Sequence, residues 1–324
     1  MIAYTLRNDD GRALLERTEA PAPRPGPGQV LVRVRAAGLN RGELLVARGA
    51  KPGAAPKPAG GEAAGEVTAL GEGVSGLAPG ARVMGRAAGA FAEYALIDAR
   101  EVIPVPARLS WEQAAAVPLV FMVVHDMLVA QGRLAAGEWL LVTGVSSGVG
   151  VGALQAAKAL GAKVAGTSGS RAKLERLAPL GLDLALATRK GDFRDAVMAA
   201  TNGKGANLIV NTVGGSMFPE CIRTLAFEGR LAIVGHLDGV LRSEIDLEAL
   251  HSKRLTLFGV SNRLRSAEQR SATVRGFVAD LLPAIADGRI EPLIDRVFDF
   301  GDLPAAKEYM ESDAQVGKIV VRMT

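Results

Sequence analysis

Trp139-Leu-Leu-Val-Thr-Gly-Val-Ser-Ser-Gly-Val-Gly150 decides the fold. Its first five residues are a continuous apolar run, the mark of a strand buried on both faces. A glycine-rich turn follows, and Val151 to Leu160 then reads as a helix. Downstream the same grammar repeats. Lys163-Val-Ala-Gly-Thr is a second strand and Arg171 to Leu180 a second helix. Leu182 to Ala187 is a third strand, followed by a helix near Phe193 to Thr201. Leu208-Ile-Val-Asn-Thr is a fourth strand and Met217 to Phe227 a helix. Arg230-Leu-Ala-Ile-Val and Leu255-Thr-Leu-Phe-Gly-Val are the fifth and sixth strands. Strands alternating with helices imply parallel pairing with helices on both faces of the sheet. Six such strands make a doubly wound sheet of the dinucleotide-binding kind.

Upstream of Trp139 the pattern differs. Val30-Leu-Val-Arg-Val-Arg alternates apolar and polar residues as a half-buried strand does, and Pro21 to Gly28 and Lys51 to Gly61 are loop-rich separators. Residues 110–135 turn helical, with Ser110 as N-cap supported by Glu112 and Gln113. The tail offers a helix, Ala272 to Ala286, and a last strand, Lys318-Ile-Val-Val-Arg. A lone strand needs a partner, and the parallel sheet is already full, so the tail is expected to return to the N-terminal β region. The expected division is 1–120, 121–264 and 265–324.

Composition agrees with a two-domain globular chain: 324 residues, 48% apolar, 22% charged and only 4% aromatic. The net charge of +4 is scattered. A nucleic-acid surface would cluster it, so no nucleic-acid partner is expected. One cysteine, Cys221, excludes an internal disulfide and a cysteine-rich zinc site. The start lacks the layout of a signal peptide, and the longest apolar run, Ala114 to Val124, is too short to cross a bilayer. A soluble, cytoplasmic protein is expected.

The turn Gly144-Val-Ser-Ser-Gly-Val-Gly150 stands where a strand meets a helix N-terminus. Unpaired N–H groups and partial positive charge there suit a pyrophosphate. Gly144, Gly148 and Gly150 let the backbone approach it, Gly150 and Gly152 let the helix pack on the sheet, and Ser146 and Ser147 offer hydroxyls beside Val149. The spacing has one residue more than a strict G-x-G-x-x-G, and a tight turn that binds nothing is the bland alternative. The second strand decides the nucleotide. A site for the non-phosphorylated dinucleotide usually places an acid at its end. Here Gly166-Thr-Ser-Gly-Ser-Arg-Ala-Lys carries none before Glu175. Ser168 and Ser170 can hydrogen-bond a 2′-phosphate, and Arg171 and Lys173 can neutralise it. Basic residues in a first helical turn oppose the helix dipole unless they have such a partner. The alternative is a solvated helix start. NADPH is the expected cofactor.

Several stretches together resemble the zinc-free quinone oxidoreductases of the medium-chain dehydrogenase/reductase superfamily. They are Ala37-Gly-Leu-Asn40-Arg-Gly-Glu, Gly61-Glu-Ala-Ala-Gly65-Glu-Val, and Leu134 through Gly150. Val213-Gly-Gly, Gly229-Arg-Leu-Ala-Ile-Val-Gly and Gly317-Lys-Ile-Val-Val complete the set. The resemblance implies an α/β fold with a GroES-like β-rich domain followed by a Rossmann domain, and a homodimer joined near Leu255 to Val260. The zinc-dependent branch has a Cys and a His where this chain has Asn40 and Gly61, and His125, His236 and His251 lack metal spacing. No metal is expected.

In the resembling family an Asn equivalent to Asn40 lies at the cleft and can bond cofactor or substrate oxygen; a plain strand-end turn residue is the alternative. Lys51 occupies a region where many relatives carry a pocket-lining Tyr, and can steady an enolate or be a loop lysine. In Phe121-Met-Val123-Val-His125-Asp, Val123 and His125 replace a Thr and an aromatic of the family. His125 is therefore either a donor facing the cleft or a buried structural histidine. Arg189 stands where relatives often have a Tyr beside the adenosine phosphate. The resemblance also nominates Val213, Gly235, His236, Leu237, Val260 and Ser261 as cofactor contacts, mostly through backbone.

Without a metal or an evident acid–base dyad, such a site can still orient a hydride donor and acceptor and stabilise negative charge on the acceptor. Quinones and α,β-unsaturated carbonyls suit that description, because the resulting oxyanion or enolate is protonated by solvent. The expectation is an NADPH-dependent quinone or alkene reductase. A nucleotide-binding protein with little turnover is the alternative.

Overall fold

The chain begins with a hairpin, β1 (Ile2–Asp9) and β2 (Arg12–Glu19). Asp10 and Gly11 turn it, with φ of 46° and 80°. Two consecutive positive φ values suit the twist of an antiparallel pair, and Asp-Gly tolerates them. The computed structural model describes residues 1–49, 51 and 54–323. β3 (Gln29–Leu39) carries the alternation seen in the sequence: Val30, Val32 and Val34 are buried, while Leu31, Arg33 and Arg35 are not. α1 (Arg41–Arg48), β4 (Lys57–Pro58), β5 (Glu62–Leu70), β6 (Arg82–Arg86), β7 (Tyr94–Asp98) and β8 (Ile103–Pro104) follow. α2 (Trp111–Ala115) starts at a capping box between Ser110 and Gln113, and α3 (Pro118–His125) continues into a π-helical turn, Asp126–Ala130.

The dinucleotide-type unit spans Phe121–Glu291. Its sheet consists of β9 (Trp139–Thr143), β10 (Lys163–Ser168), β11 (Leu184–Ala187), β12 (Ala206–Asn211), β13 (Leu225–Ile233) and β14 (Thr256–Gly259). The spatial order is β11-β10-β9-β12-β13-β14, all parallel. α4 (Gly148–Ala159), α5 (Arg171–Leu177), α6 (Arg194–Ala200), α7 (Phe218–Thr224) and α8 (Leu247–Ser252) connect them. Leu140, Leu141, Val142, Leu208, Ile209 and Val210 are fully buried, as a sheet covered on both faces requires.

Several boundaries differ from the sequence reading, and for the helices the reasons are local. α4 begins at Gly148 rather than Val151, because Ser147 caps it through a bond from Gly150 N at 3.1 Å. Ala226 and Phe227 lie in β13, not in a helix, because the chain turns extended at Leu225. The tail helix is two helices, α9 (Ala267–Asp280) and α10 (Leu282–Ala286). A Ser266–Gln269 capping box starts the first, and Pro283 cannot continue it.

The segment assigned to the tail from residue 265 divides. Through Glu291 it belongs to the dinucleotide-type unit, where the Phe277 and Phe121 ring centroids are 6.3 Å apart. Only Pro292–Thr324 stands with Met1–Val120. There β15 (Ile294–Asp299) pairs with β16 (Lys318–Arg322), and β16 lies antiparallel to β3, Ile319 opposite Leu39. The seven-stranded sheet runs β15-β16-β3-β5-β6-β8 with β7 also on β3; a second sheet runs β2-β1-β4. Ile319 and Val321 join Val30, Val32, Val34 and Ile97 in one core. Each such side chain, fully buried, contributes about 1.5–3 kcal/mol.

Candidate functional site

The chain leaves β9 in one direction toward β10 and β11 and later resumes on its other side with β12. That reversal opens a crevice at the carboxyl ends of β9 and β12, the place where doubly wound sheets bind ligands. Thr143 and Thr212 lock it: Thr212 Oγ1 donates to Thr143 O at 2.6 Å, and Thr212 N donates to Thr143 Oγ1 at 3.0 Å. Asn211 Oδ1 accepts from Val213 N and Gly214 N, both at 3.0 Å, and so shapes the turn after β12.

On the other side of the crevice the glycine turn is held as firmly. Gly144 N donates to Thr167 Oγ1 at 3.1 Å, and Val145 is fully buried. Gly144, Ser146, Ser147, Gly148 and Val149 remain partly exposed. A Cβ on Gly150 would lie 2.6 Å from the carbonyl oxygens of both Gly144 and Val145, so only glycine lets the helix start this close to the turn.

At the end of β10, Ser168 Oγ lies 3.4 Å from Ser146 Oγ and accepts from Ser170 N at 3.3 Å. Ser170 caps α5, accepting from Lys173 N at 3.4 Å. Arg189, arriving after β11, lays its side chain over Gly169, where a Cβ would stand 2.1 Å from Nε. Arg171 and Arg189 are exposed. The structure thus brings Ser146, Ser168, Ser170, Arg171 and Arg189 to one strand end. No carboxylate is among them.

The remaining nominated positions also end strands of this sheet. Val213 follows β12; Gly235, His236 and Leu237 follow β13; Val260 and Ser261 follow β14. His236 and Leu237 are exposed, whereas Val260 is buried and donates its N–H to Ile233 O at 2.9 Å. Between the loops after β12 and β13 lies a cavity of about 270 Å³ lined by Gly214, Phe218, Ile233, Val240 and Leu241. Asp238 ties these loops together, accepting from Ser216 Oγ at 2.5 Å and from Val240 N at 2.9 Å.

In the β-rich unit, Asn40 follows β3 and sits in a compact polar cluster. Its Oδ1 accepts from Lys318 Nζ at 2.6 Å. Its Nδ2 faces Glu62 Oε1 at 2.9 Å, Glu43 Oε1 at 3.0 Å and Gly38 O at 3.3 Å. Lys318 Nζ and Glu62 Oε1 are 2.5 Å apart and both side chains are buried; Lys318 also donates to Leu39 O at 3.1 Å. Glu62 Oε2 accepts from Leu119 N at 2.7 Å. Burial pushes the Glu43 carboxyl up to about 7, although the bond from Asn40 and the Lys318 charge pull it down. The Glu43 residue itself is only half-buried. A Cβ on Gly61 would meet Glu43 Oε1 at 3.0 Å, so this carboxylate fills the space that the glycine leaves.

His125 is buried rather than open. Its Nε2 lies 2.7 Å from Asp280 Oδ2 on α9, its ring covers Gly276, and Nδ1 is buried with no hydrogen-bond partner. Of the two readings of His125, the geometry fits the buried structural histidine rather than the donor: helix packing holds the ring. Lys51 is exposed in the loop after α1. Sequence reasoning missed Asn211, Thr143, Glu43, Glu62 and Lys318 as site-building groups. The available signal was charge inside apolar runs, Glu62 before Ala-Ala-Gly and Lys318 before Ile-Val-Val.

Residues 26–107 match the alcohol dehydrogenase GroES-like domain family, and residues 148–277 match the zinc-binding dehydrogenase family. The fold superposes on Escherichia coli quinone oxidoreductase complexed with NADPH with a TM-score of 0.88 and 26% identity, covering 99% of this chain and 100% of that one. This chain belongs to the medium-chain dehydrogenase/reductase superfamily. The fold also superposes on the CurK enoyl reductase, with a TM-score of 0.85, 26% identity and 99% of both chains covered. In sequence, the chain is 34% identical over 296 residues to a phenolphthiocerol/phthiocerol polyketide synthase polypeptide of Mycobacterium tuberculosis. That match takes in 90% of this chain and 13% of the length of the polyketide synthase polypeptide.

The residues present do not fit the zinc of the superfamily's metal-dependent branch. Gly61 offers no side chain, and the Lys318 ammonium beside Asn40 and Glu62 would repel a divalent cation. They do fit a phosphorylated dinucleotide: a helix start cleared by Gly150 and a strand end furnished with hydroxyls and guanidinium groups. Among the described residues, no helix is long and apolar enough to cross a membrane.

Proposed function

We propose that the protein is an NADPH-dependent, zinc-independent reductase of quinones or α,β-unsaturated carbonyls. The observation that carries this reading is the end of β10, where Ser168, Ser170, Arg171 and Arg189 gather without a carboxylate. Such a group suits a 2′-phosphate and disfavours the plain ribose hydroxyl. Gly144, Ser146, Ser147, Gly148, Val149 and Gly150 would hold the pyrophosphate. Val213, Gly235, His236, Leu237, Val260 and Ser261 would border the nicotinamide. When bound, the cofactor supplies hydride.

The chain's own contribution is orientation and charge. Asn40 carries an amide whose carbonyl is already polarised by Lys318, so its N–H groups are strengthened donors toward an acceptor oxygen. Lys51 adds a cation beyond α1 that can steady the same developing charge. The enolate or hydroquinone anion takes its proton from solvent. Likeness to an enoyl reductase and to a polyketide synthase supports the alkene half of this substrate class. Among the described residues β14 has a strand partner only at β13, and its other edge suits a second copy of the chain in a homodimer. One buried cysteine, Cys221, fits a cytoplasmic setting.

The test is oxidation of NADPH, with NADH in parallel, against a panel of quinones, enones and alkenals. Turnover preferring NADPH supports the reading. Tight NADPH binding with no acceptor turned over would replace it with a nucleotide-binding role.

A further inference from the structure

Asn40 Nδ2 has two hydrogens and three acceptors around it: Gly38 O, Glu62 Oε1 and Glu43 Oε1. The Glu62 oxygen is already engaged by the Lys318 ammonium at 2.5 Å, which holds the Glu62 side chain in place. Glu43 is the adjustable member. It lies in the first turn of α1, three residues after Asn40, and is less deeply buried than Glu62 and Lys318. One ammonium serves two carboxylates, so the cluster has charge enough for one ionised carboxylate and not for both.

We propose that Glu43 is a positioning residue for the reaction: by taking or releasing a proton it decides whether an Asn40 N–H is held in the cluster or yielded to an acceptor oxygen. An ionised Glu43 makes a charge-assisted bond with Nδ2, about twice as strong as a neutral one. A protonated Glu43 is the weaker acceptor, and the amide hydrogen becomes available to the carbonyl oxygen of a quinone or enone as negative charge builds on it. The proton on Glu43 exchanges with solvent, and no other bond changes. The inference rests on the reductase reading for the identity of the oxygen, not for the proton coupling itself.

Charge reaches Glu43 from two directions. Lys318 on β16 favours its ionised form and Glu62 on β5 opposes it; the Gly60 backbone also donates a hydrogen bond to it. β1 and β2 also pack against α1. Their charged groups, Arg7, Asp9, Arg12, Glu16, Arg17 and Glu19, are exposed or half-exposed, and Arg7 pairs with Asp9 and Glu16. Glu43 is pushed up to about 7, so its proton changes hands near neutrality.

The test has two arms. In the first, kcat/KM for an enone or quinone is followed from pH 6 to 8 in wild type and in Glu43→Gln, whose neutral side chain mimics the protonated acid. Wild type should lose about tenfold over this range while the variant stays flat. In the second, without substrate, the Asn40 side-chain amide NMR resonances are titrated in the ligand-free full chain. They should move near pH 7 in wild type and stay fixed in Glu43→Gln. A wild-type amide that does not move, or one that still titrates in the variant, overturns the proposal. A pH-flat kcat/KM in an active wild type also overturns it. A titrating amide in a protein that reduces no acceptor leaves the coupling in place and discards the reductase reading instead. If Glu43→Gln does not fold, the wild-type amide titration decides alone.

Discussion

The cluster around Asn40 and the strand end around Ser168 are both polar, yet they are built in opposite ways. Asn40, Glu43, Glu62 and Lys318 hold one another at 2.5 to 3.0 Å in largely buried surroundings. Ser146, Ser168 and Ser170 make bonds of 3.3 to 3.4 Å beside exposed guanidinium groups. Short, buried, charge-assisted bonds are a commitment of the fold to itself. Long bonds at an open strand end leave donors ready to improve when a ligand arrives. The first region therefore bears on stability and on the state of one amide, and under the proposed function the second would select the nucleotide.

The sharpest way to break this contrast is Lys318→Met. Removing the ammonium leaves the buried Glu62 carboxyl without its partner, which should cost about 3–5 kcal/mol of stability in urea unfolding. A loss below 1 kcal/mol would mean that the cluster is not the fixed element described. Next in size is Arg171→Ala, expected to weaken NADPH binding about tenfold, or about 1.4 kcal/mol, in calorimetry. NADH binding and the unfolding midpoint should barely move; equal losses for both cofactors would remove the 2′-phosphate from that strand end. The smallest effect is no effect. Chelators should leave turnover unchanged and elemental analysis should find no stoichiometric zinc, since Lys318 already supplies the positive charge; one full equivalent would contradict that account.

The parallel sheet was legible in the sequence because six apolar runs spaced by helices admit few other folds. So was the β16 strand's need for a partner outside it. The polar cluster was not legible. Asn40, Glu43, Glu62 and Lys318 come from the β3–α1 junction, α1, β5 and β16, and nothing local in Gly61-Glu or Gly317-Lys says that their side chains converge. His125 was ambiguous for a similar reason. Its partner, Asp280, lies 155 residues away, and only the packing of α3 against α9 reveals it. The misplaced helix ends had local causes, a cap at Ser147 and a proline at Pro283, that periodicity alone does not weigh.

Lys318 stands near the end of the chain, 278 residues after Asn40. During synthesis the β-rich unit therefore emerges with two clustered carboxylates and no cation to answer them. It also lacks Ile319 and Val321 from its core. The entire dinucleotide-type unit must be made before the first unit can close. Folding of this protein is consequently nested rather than sequential: the middle of the chain is free to mature first, and the beginning waits for the end.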